Sequence, residues 1–310
     1  MSFSSDVKKE IAHAWPGKPC CELAEAAGFF RAAGSLKPAG GETGLTLGTS
    51  IPVVARHFKK LYEGLVGEPL FISVVRRGGR VSPLWIELNL PPSQAGAELL
   101  FRAGILGRKE GLLTLETGIP TSLTNTKCCR ESLLKGLFLG AGSVADPAKR
   151  YHFEIITADK ALAGDVRRLM NSFTDIHAGV IERGGKYVVY LKAAEQIKDM
   201  LGIIDAHVHL LAFEDARVRH ELRGRVNRFS NCDNANLDRQ AAACAGQMRA
   251  IAAIEAKPGG LEALPPKLRE AAMARKEHPE ANYSEIGELF EPQVSKSAAA
   301  ARLKKLLTYQ

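Results

Sequence analysis

The 310 residues are 45% apolar and 25% charged, the balance of a folded, water-soluble chain long enough for two or three hydrophobic cores. Forty-two Lys and Arg against 34 Asp and Glu leave a formal charge of +8, a basic excess that suits a polyanionic partner without requiring one. The sequence holds no run of about 18 uncharged apolar residues and no basic head leading into an apolar core. Neither a membrane span nor a leader is therefore expected, and a cytoplasmic location follows.

The first predicted helix opens on CCELAEAAGFFRAAGS (residues 20–35), and the pattern returns as CCRESLLKGLFLGAGS (residues 128–143) at a spacing of 108 residues. The copies align without a gap: Cys20 and Cys21 with Cys128 and Cys129, Gly28 with Gly136, Phe30 with Phe138, Ala33 with Ala141. Small residues fall four apart in each, Gly28 and Ala32 in the first, Gly136 and Gly140 in the second, which clears one helix face of side chains. Two such faces can pack with their backbones close, compensating the ~0.5–1 kcal/mol that an interior glycine costs. A flexible, poorly specified helix is the alternative, and recurrence in both copies speaks against it.

The elements after each repeated helix also correspond. After the first come a strand over residues 44–49, a helix over 51–66, and strands over 70–75 and 81–89 around Arg77-Gly78-Gly79-Arg80. Residues 91–127 bridge to the second copy. There the strand covers 151–157 and the helix 160–173, with Leu162, Val166, Leu169 and Phe173 at helical spacing. Strands over 178–181 and 187–191 flank Gly184-Gly185, a pair suited to the positive φ of a tight hairpin turn. A further helix spans 193–201. Each half thus reads α-β-α-β-β, and two copies imply a pseudo-twofold domain rather than a solenoid.

Six cysteines are present, four of them in the two adjacent pairs. Neither pair has the C-x-x-C spacing of a zinc knuckle, so buried thiols opening each repeated helix are the favoured reading. The alternative has the pairs meeting across a pseudo-twofold axis and binding metal. No metal ligand and no cofactor is expected.

Over residues 217–229, Val218, Leu222, Val226 and Phe229 form one helical stripe, flanked by Arg217, Arg219, Arg223, Arg225 and Arg228 with Glu221 the one acid. A buried stripe would leave the arginines free for phosphates, although a solvated charged face has the same composition. Asn231, Asn234 and Asn236 are expected to form turns and to cap an alanine-rich helix from Leu237. After a linker over 257–266 come helices over 266–276, 283–290 and 296–308, the second capped by Asn282 or Ser284, with Pro292 in the intervening turn. On the last helix Ala299, Ala300, Leu303, Leu306 and Leu307 should face a core, leaving Ser297, Ala298, Ala301, Arg302 and Lys305 outside. That is a helix-turn-helix arrangement, with Arg302 able to reach a guanine edge or a phosphate. Ser284, Gln293, Ser295 and Lys296 complete the expected DNA-contacting set. An ordinary three-helix bundle with a basic solvated face is the alternative.

LLKGLFLGAG, with Leu134, Leu137, Gly136, Gly140 and Gly142, resembles the LAGLIDADG homing-endonuclease motif, and AAGFFRAAG is a weaker first copy. In that fold the two helices form the domain interface, and acidic residues near their ends hold divalent metal. Here the sixth motif position is Arg31 or Leu139 and the metal-binding eighth is Ala33 or Ala141; Asp146 lies a turn beyond the second copy with no counterpart in the first. The resemblance implies a nuclease-like scaffold without nuclease activity, since methyl groups cannot hold Mg²⁺.

With VNRFSNCDNANLDR (226–239), GSVADPAKRYHFEI and PQVSKSAAAARLKKL, nearly the whole chain resembles the WhiA family of sporulation regulators and cell-division proteins of Gram-positive bacteria. The family pattern Asn-His-Arg-Leu is replaced here by Ala300-Ala301-Arg302-Leu303. The resemblance implies an α+β chain: a pseudo-twofold duplicated LAGLIDADG-like domain of α-β-α-β-β halves, then an all-α helix-turn-helix domain. The expected divisions are 1–90, 91–127, 128–214, 215–256 and 257–310. It implies a non-enzymatic, nucleoid-associated transcription factor for sporulation, cell division or chromosome segregation, binding double-stranded DNA at promoters, with protein partners in transcription or division. Lys59, Lys60, Arg76, Arg77 and Arg80 in one half, and Arg167, Arg168, Arg183 and Lys186 in the other, would meet phosphates. A residual metal-dependent nuclease and a protein-interaction module without specific DNA binding are the rival functions.

Overall fold

The computed structural model describes residues 2–39, 42–76, 84–110 and 112–309. They form two compact units, residues 1–220 and 221–310.

In the first unit α1 (Phe3–Ile11) precedes a duplicated α-β-β-α-β-β arrangement. The first copy is α2 (Pro19–Ala33), β1 (Gly34–Ala39), β2 (Glu42–Thr49), α3 (Pro52–Val66), β3 (Phe71–Arg76) and β4 (Leu84–Leu90). A connection of α4 (Gln94–Arg102), β5 (Leu106–Lys109), β6 (Leu112–Leu115) and a short 3-10 turn (Thr121–Leu123) follows. The second copy is α5 (Lys127–Ala141), β7 (Gly142–Val144), β8 (Phe153–Thr157), α6 (Lys160–Met170), β9 (Gly179–Arg183) and β10 (Lys186–Leu191), closed by α7 (Ala194–Ile203). The two antiparallel sheets have the same strand order, β1-β2-β4-β3 and β7-β8-β10-β9, which is the duplication expressed as topology.

Each half therefore carries one strand more than the sequence pattern indicates. β1 and β7 start on glycine directly at the end of a helix, β7 is only three residues long and β1 contains Pro38, so neither shows alternating hydrophobicity. They exist because β2 and β8 offer them a partner, Gly34 opposite Leu47 and Gly142 opposite Ile155. The bridge is likewise structured, and α1, which no sequence signal marks, buries Val7 and Ile11 completely. In the second half Gly184 and Gly185 take φ of +59° and +73°, the turn that joins β9 to β10. The corresponding Arg77, Gly78, Gly79 and Arg80, with the start of the expected strand at Val81, lie outside the described residues.

Helices α2 and α5 form the centre of this unit. A Cβ on Gly28 would stand 2.3 Å from the Leu133 carbonyl oxygen, and one on Gly136 only 2.0 Å from that of Glu25. No side chain fits at either point. Leu133, Leu134, Leu137 and Phe138 on α5, with Ala24 and Phe29 on α2, are excluded from solvent. Each large apolar side chain so buried contributes about 1.5–3 kcal/mol.

Charged residues within the motif helices are placed in the interior. Glu25 Oε1 lies 2.6 Å from His57 Nε2, and its Oε2 lies 3.8 Å from Lys135 Nζ. Lys135 also donates to the Ala14 carbonyl at 3.2 Å and to Asp205 at 3.3 Å. Arg31 donates to the carbonyls of Gly104 and Gly118, both at 2.9 Å, tying the connection to α2; burial draws its pKa down to about 10.

The second unit takes in most of α8 (His207–Glu255), then a 3-10 turn (Gly260–Ala263), α9 (Pro266–Glu277), α10 (Tyr283–Glu288) and α11 (Lys296–Leu307). α8 corrects the expected break at residues 231–236: Asn231, Asn234 and Asn236 lie within one continuous helix and cap nothing. The unit has its own core, built from Ile251, Ile254, Ala271, Ile286, Phe290, Ala299, Leu303 and Leu306.

Candidate functional site

α10 and α11 form the helix-turn-helix. A capping box starts α10: Asn282 Oδ1 accepts from the Ser284 and Glu285 amides, and Glu285 returns a carboxylate to the Asn282 amide at 2.7 Å. Ser284 is not the cap. Gly287 lets the turn fold back, since a Cβ there would stand 2.5 Å from the Val294 carbonyl oxygen. Ser295 caps α11 through the Ala298 amide. Ser284, Gln293, Ser295, Lys296, Ser297, Ala301 and Lys305 are all exposed, Ala298 is half-buried, and Lys304 adds a further exposed cation.

Two assignments on α11 are corrected. Leu307 is exposed rather than in the core, because Leu303 and Leu306 already fill the face toward α9. Arg302 is not free to read a base: its guanidinium bonds Glu270 at 2.9 Å and stacks on Phe290, 4.7 Å from the ring centroid, with 19% of its side chain accessible. It fastens α11 to α9. Its i, i+4 partners in sequence do not reveal this, since Glu270 lies 32 residues away.

The arginines of α8 divide similarly. Arg217 is held by Glu195 and Glu214, so it is spoken for. Arg219, Arg223, Arg225 and Arg228 are exposed and pair with no carboxylate among the described residues. The stripe between them is not buried, contrary to the expectation from its spacing: Val218, Leu222, Val226 and Phe229 all face solvent, Phe229 with 74% accessible. Further along the helix lies a groove of 590 Å³, unforeseen from the sequence and lined by Asn236, Arg239, Gln240, Cys244, Tyr283 and Lys296. The i, i+4, i+8 spacing of Asn236, Gln240 and Cys244 was the available signal.

Four of the nine basic residues singled out in the sheet domain have a partner. Lys59 pairs with Glu63, Arg168 with Asp165 and Arg183 with Glu154, while Lys60 stacks on Trp15. Arg76, Arg167 and Lys186 are exposed. Arg77 and Arg80 lie outside the described residues.

At the C-terminal ends of α2 and α5, Ala33 and Ala141 are half-buried. A cavity of 360 Å³ opens there, lined by Ala32, Ala33, Gly140, Thr46, Glu87 and Lys186 among others. Glu87 is its one acid among the described residues. Asp146 does not line it; its carboxylate accepts from the Ala148 amide at 2.9 Å.

The N-terminal ends are different. Cys20 and Cys21 occupy the second and third positions of α2, and Cys128 and Cys129 the same positions of α5. Their four Sγ atoms lie within 4.8 Å of one another. Cys21 and Cys129 are buried, as the favoured reading of the pairs has it, but Cys128 is half-buried and Cys20 exposed, and the two pairs meet. Hydrogen bonds, first from Thr126 and then from Cys21, draw the Cys128 thiol down to about 7, whereas burial pushes Cys21 up to about 12. Among the described residues, no other group of three or more His, Cys, Asp or Glu side chains converges in this way.

Two family models match the chain: the WhiA LAGLIDADG-like domain over residues 130–223 and the WhiA C-terminal HTH domain over residues 226–310. A probable cell division protein WhiA of Alkaliphilus metalliredigens is 37% identical over 307 residues, covering 99% of this chain and 96% of its own. One from a Thermoanaerobacter species is 39% identical over 308 residues, again covering 99% and 96%. The crystal structure of full-length DUF199/WhiA from Thermotoga maritima superposes with a TM-score of 0.61 at 24% identity, covering 99% of this chain and 97% of that one, a likeness of fold.

Proposed function

The chain belongs to the WhiA family, and from that premise we propose that it is a non-catalytic DNA-binding transcriptional regulator of cell division. The observation that carries the proposal is the α10-turn-α11 unit, whose outer side presents Lys296, Ser297, Ala301, Lys304 and Lys305 with no acid between them. A helix bearing small and cationic residues on its free side enters a major groove without steric conflict and neutralises phosphates on either flank. Arg223, Arg225 and Arg228 of α8 add sequence-independent phosphate affinity. Sporulation and chromosome segregation are the further processes we assign to it, with a site of action on the nucleoid; no helix among the described residues is long and apolar enough to cross a membrane.

Phosphodiester cleavage is absent from this reading because Ala33 and Ala141 offer methyl groups where the chemistry needs paired carboxylates, and Glu87 alone cannot place two ions. The purified chain should leave supercoiled DNA intact in Mg²⁺ or Mn²⁺; chelator-sensitive nicking would restore the nuclease.

Fluorescence anisotropy with the full chain tests the DNA reading. A promoter fragment recovered by crosslinking should bind more tightly than random duplex at physiological salt. Equal affinity for the two would leave only the interaction module. Lys304→Ala with Lys305→Ala should weaken both duplexes alike and flatten the log–log salt slope by about 0.9 for each phosphate no longer neutralised. Arg302→Ala should lower the stability of the C-terminal unit by about 1–2 kcal/mol, with any change in affinity following from that destabilisation.

A further inference from the structure

We propose that Cys20, Cys21, Cys128 and Cys129 form a tetrathiolate site for a single Zn²⁺ that clamps the N-terminal ends of α2 and α5 across the pseudo-twofold axis.

Size is the first argument. A tetrahedral zinc site with Zn–S bonds of about 2.3 Å sets its sulfurs about 3.8 Å apart. Four Sγ atoms already within 4.8 Å of one another need to close by at most a side-chain adjustment to enclose one ion. A polynuclear iron–sulfur cluster places inorganic sulfide and several irons between its thiolates and needs a wider cage. The donor set is also all sulfur, which selects zinc over Mg²⁺ or Ca²⁺.

Symmetry is the second. Each helix contributes its second and third residues, and all four thiols converge. Each half supplies two ligands, so the site exists only when the halves are docked.

Charge is the third. A zinc tetrathiolate carries two net negative charges. The thiols sit in the first turns of two helices, whose dipoles favour negative charge there, and Lys18 lies close enough to act on Cys128. Ser132 and Thr126 hydrogen-bond Cys21 and Cys128, fixing ligands from outside the coordination sphere. This end of the helix pair is opposite the one that holds metal in nucleases of this fold. A 15-residue helix separates the ends by about 22 Å.

The untagged full-length chain, purified under reducing conditions without chelator, should contain one zinc per molecule by elemental mass spectrometry. A mercurial thiol reagent should release that zinc as it titrates the thiols. Replacement by Co²⁺ should give the charge-transfer and ligand-field bands of a tetrahedral tetrathiolate. These three readouts need no variant, so they stand even where a substitution prevents folding. Cys21→Ser with Cys128→Ser should reduce zinc at least tenfold, and Cys232→Ser, on exposed α8, should leave it unchanged. A reduced, folded chain that neither contains zinc nor takes it up from added zinc alone would overturn the proposal. So would disulfides in its place, or cobalt bands lacking thiolate character.

Discussion

The two ends of the α2–α5 pair share one helix geometry and differ in what they hold. At the C-terminal ends a cavity lined by Ala33 and Gly140 has Glu87 as its one acid among the described residues. At the N-terminal ends four thiols converge to within 4.8 Å. Between them the backbones approach so closely that a Cβ on Gly136 would stand 2.0 Å from a carbonyl oxygen. The difference shows that the close packing of the pair does not depend on which side chains its ends carry. Close helix packing requires glycine whatever the protein does, whereas the carboxylates answer only to cleavage. A helix pair with alanine at its C-terminal ends can therefore keep the seam that holds the halves together.

Three changes probe that contrast, taken from the largest effect downward. Gly136→Leu, at the seam, should cost well over 3 kcal/mol and unfold the first unit at growth temperature, because α2 must move away bodily. Far-UV circular dichroism and limited proteolysis would show it, and a near-normal melting curve would mean that the two backbones do not touch. Lys135→Met, beside the seam, should cost about 3 kcal/mol in urea unfolding by leaving Glu25 buried against His57 alone. Adding Glu25→Gln should recover part of that stability, and an unrecovered double variant would argue that packing, not charge, is at stake. Ala33→Asp with Ala141→Asp, at the cavity end, should barely change stability without metal, since both sites are half-buried. In Mn²⁺ at ten times its Kd the pair should gain about 1.4 kcal/mol that the parent chain does not. Equal responses would mean that the cavity cannot bring two carboxylates to one ion.

Much of the fold was legible because its cause was local or repeated. Glycines four apart, the Gly184-Gly185 turn and the apolar spacing of Leu162, Val166 and Leu169 each signal their element directly. β1 and β7 were not legible, since a strand led by glycine is stabilised by its neighbour rather than by its own pattern. Nor was the run of α8 through Cys232–Asn236, where asparagines normally favour turns. On the candidate interface, exposure at Ser297, Ala301 and Lys305 follows from helical periodicity, but the capture of Arg302 by Glu270 and Phe290 does not.

Sequence alone determined the duplication, the helical identity of the motif segments, the alanines at positions 33 and 141 and the basic character of the last third. Those are properties of residue type and spacing along one chain. Tertiary structure alone decided which charges are buried, which arginines are free and that two cysteine pairs 108 residues apart share one point in space. Such outcomes depend on distances across the interface between halves, and adjacency in space is set by how two helices dock, which no stretch of either encodes by itself.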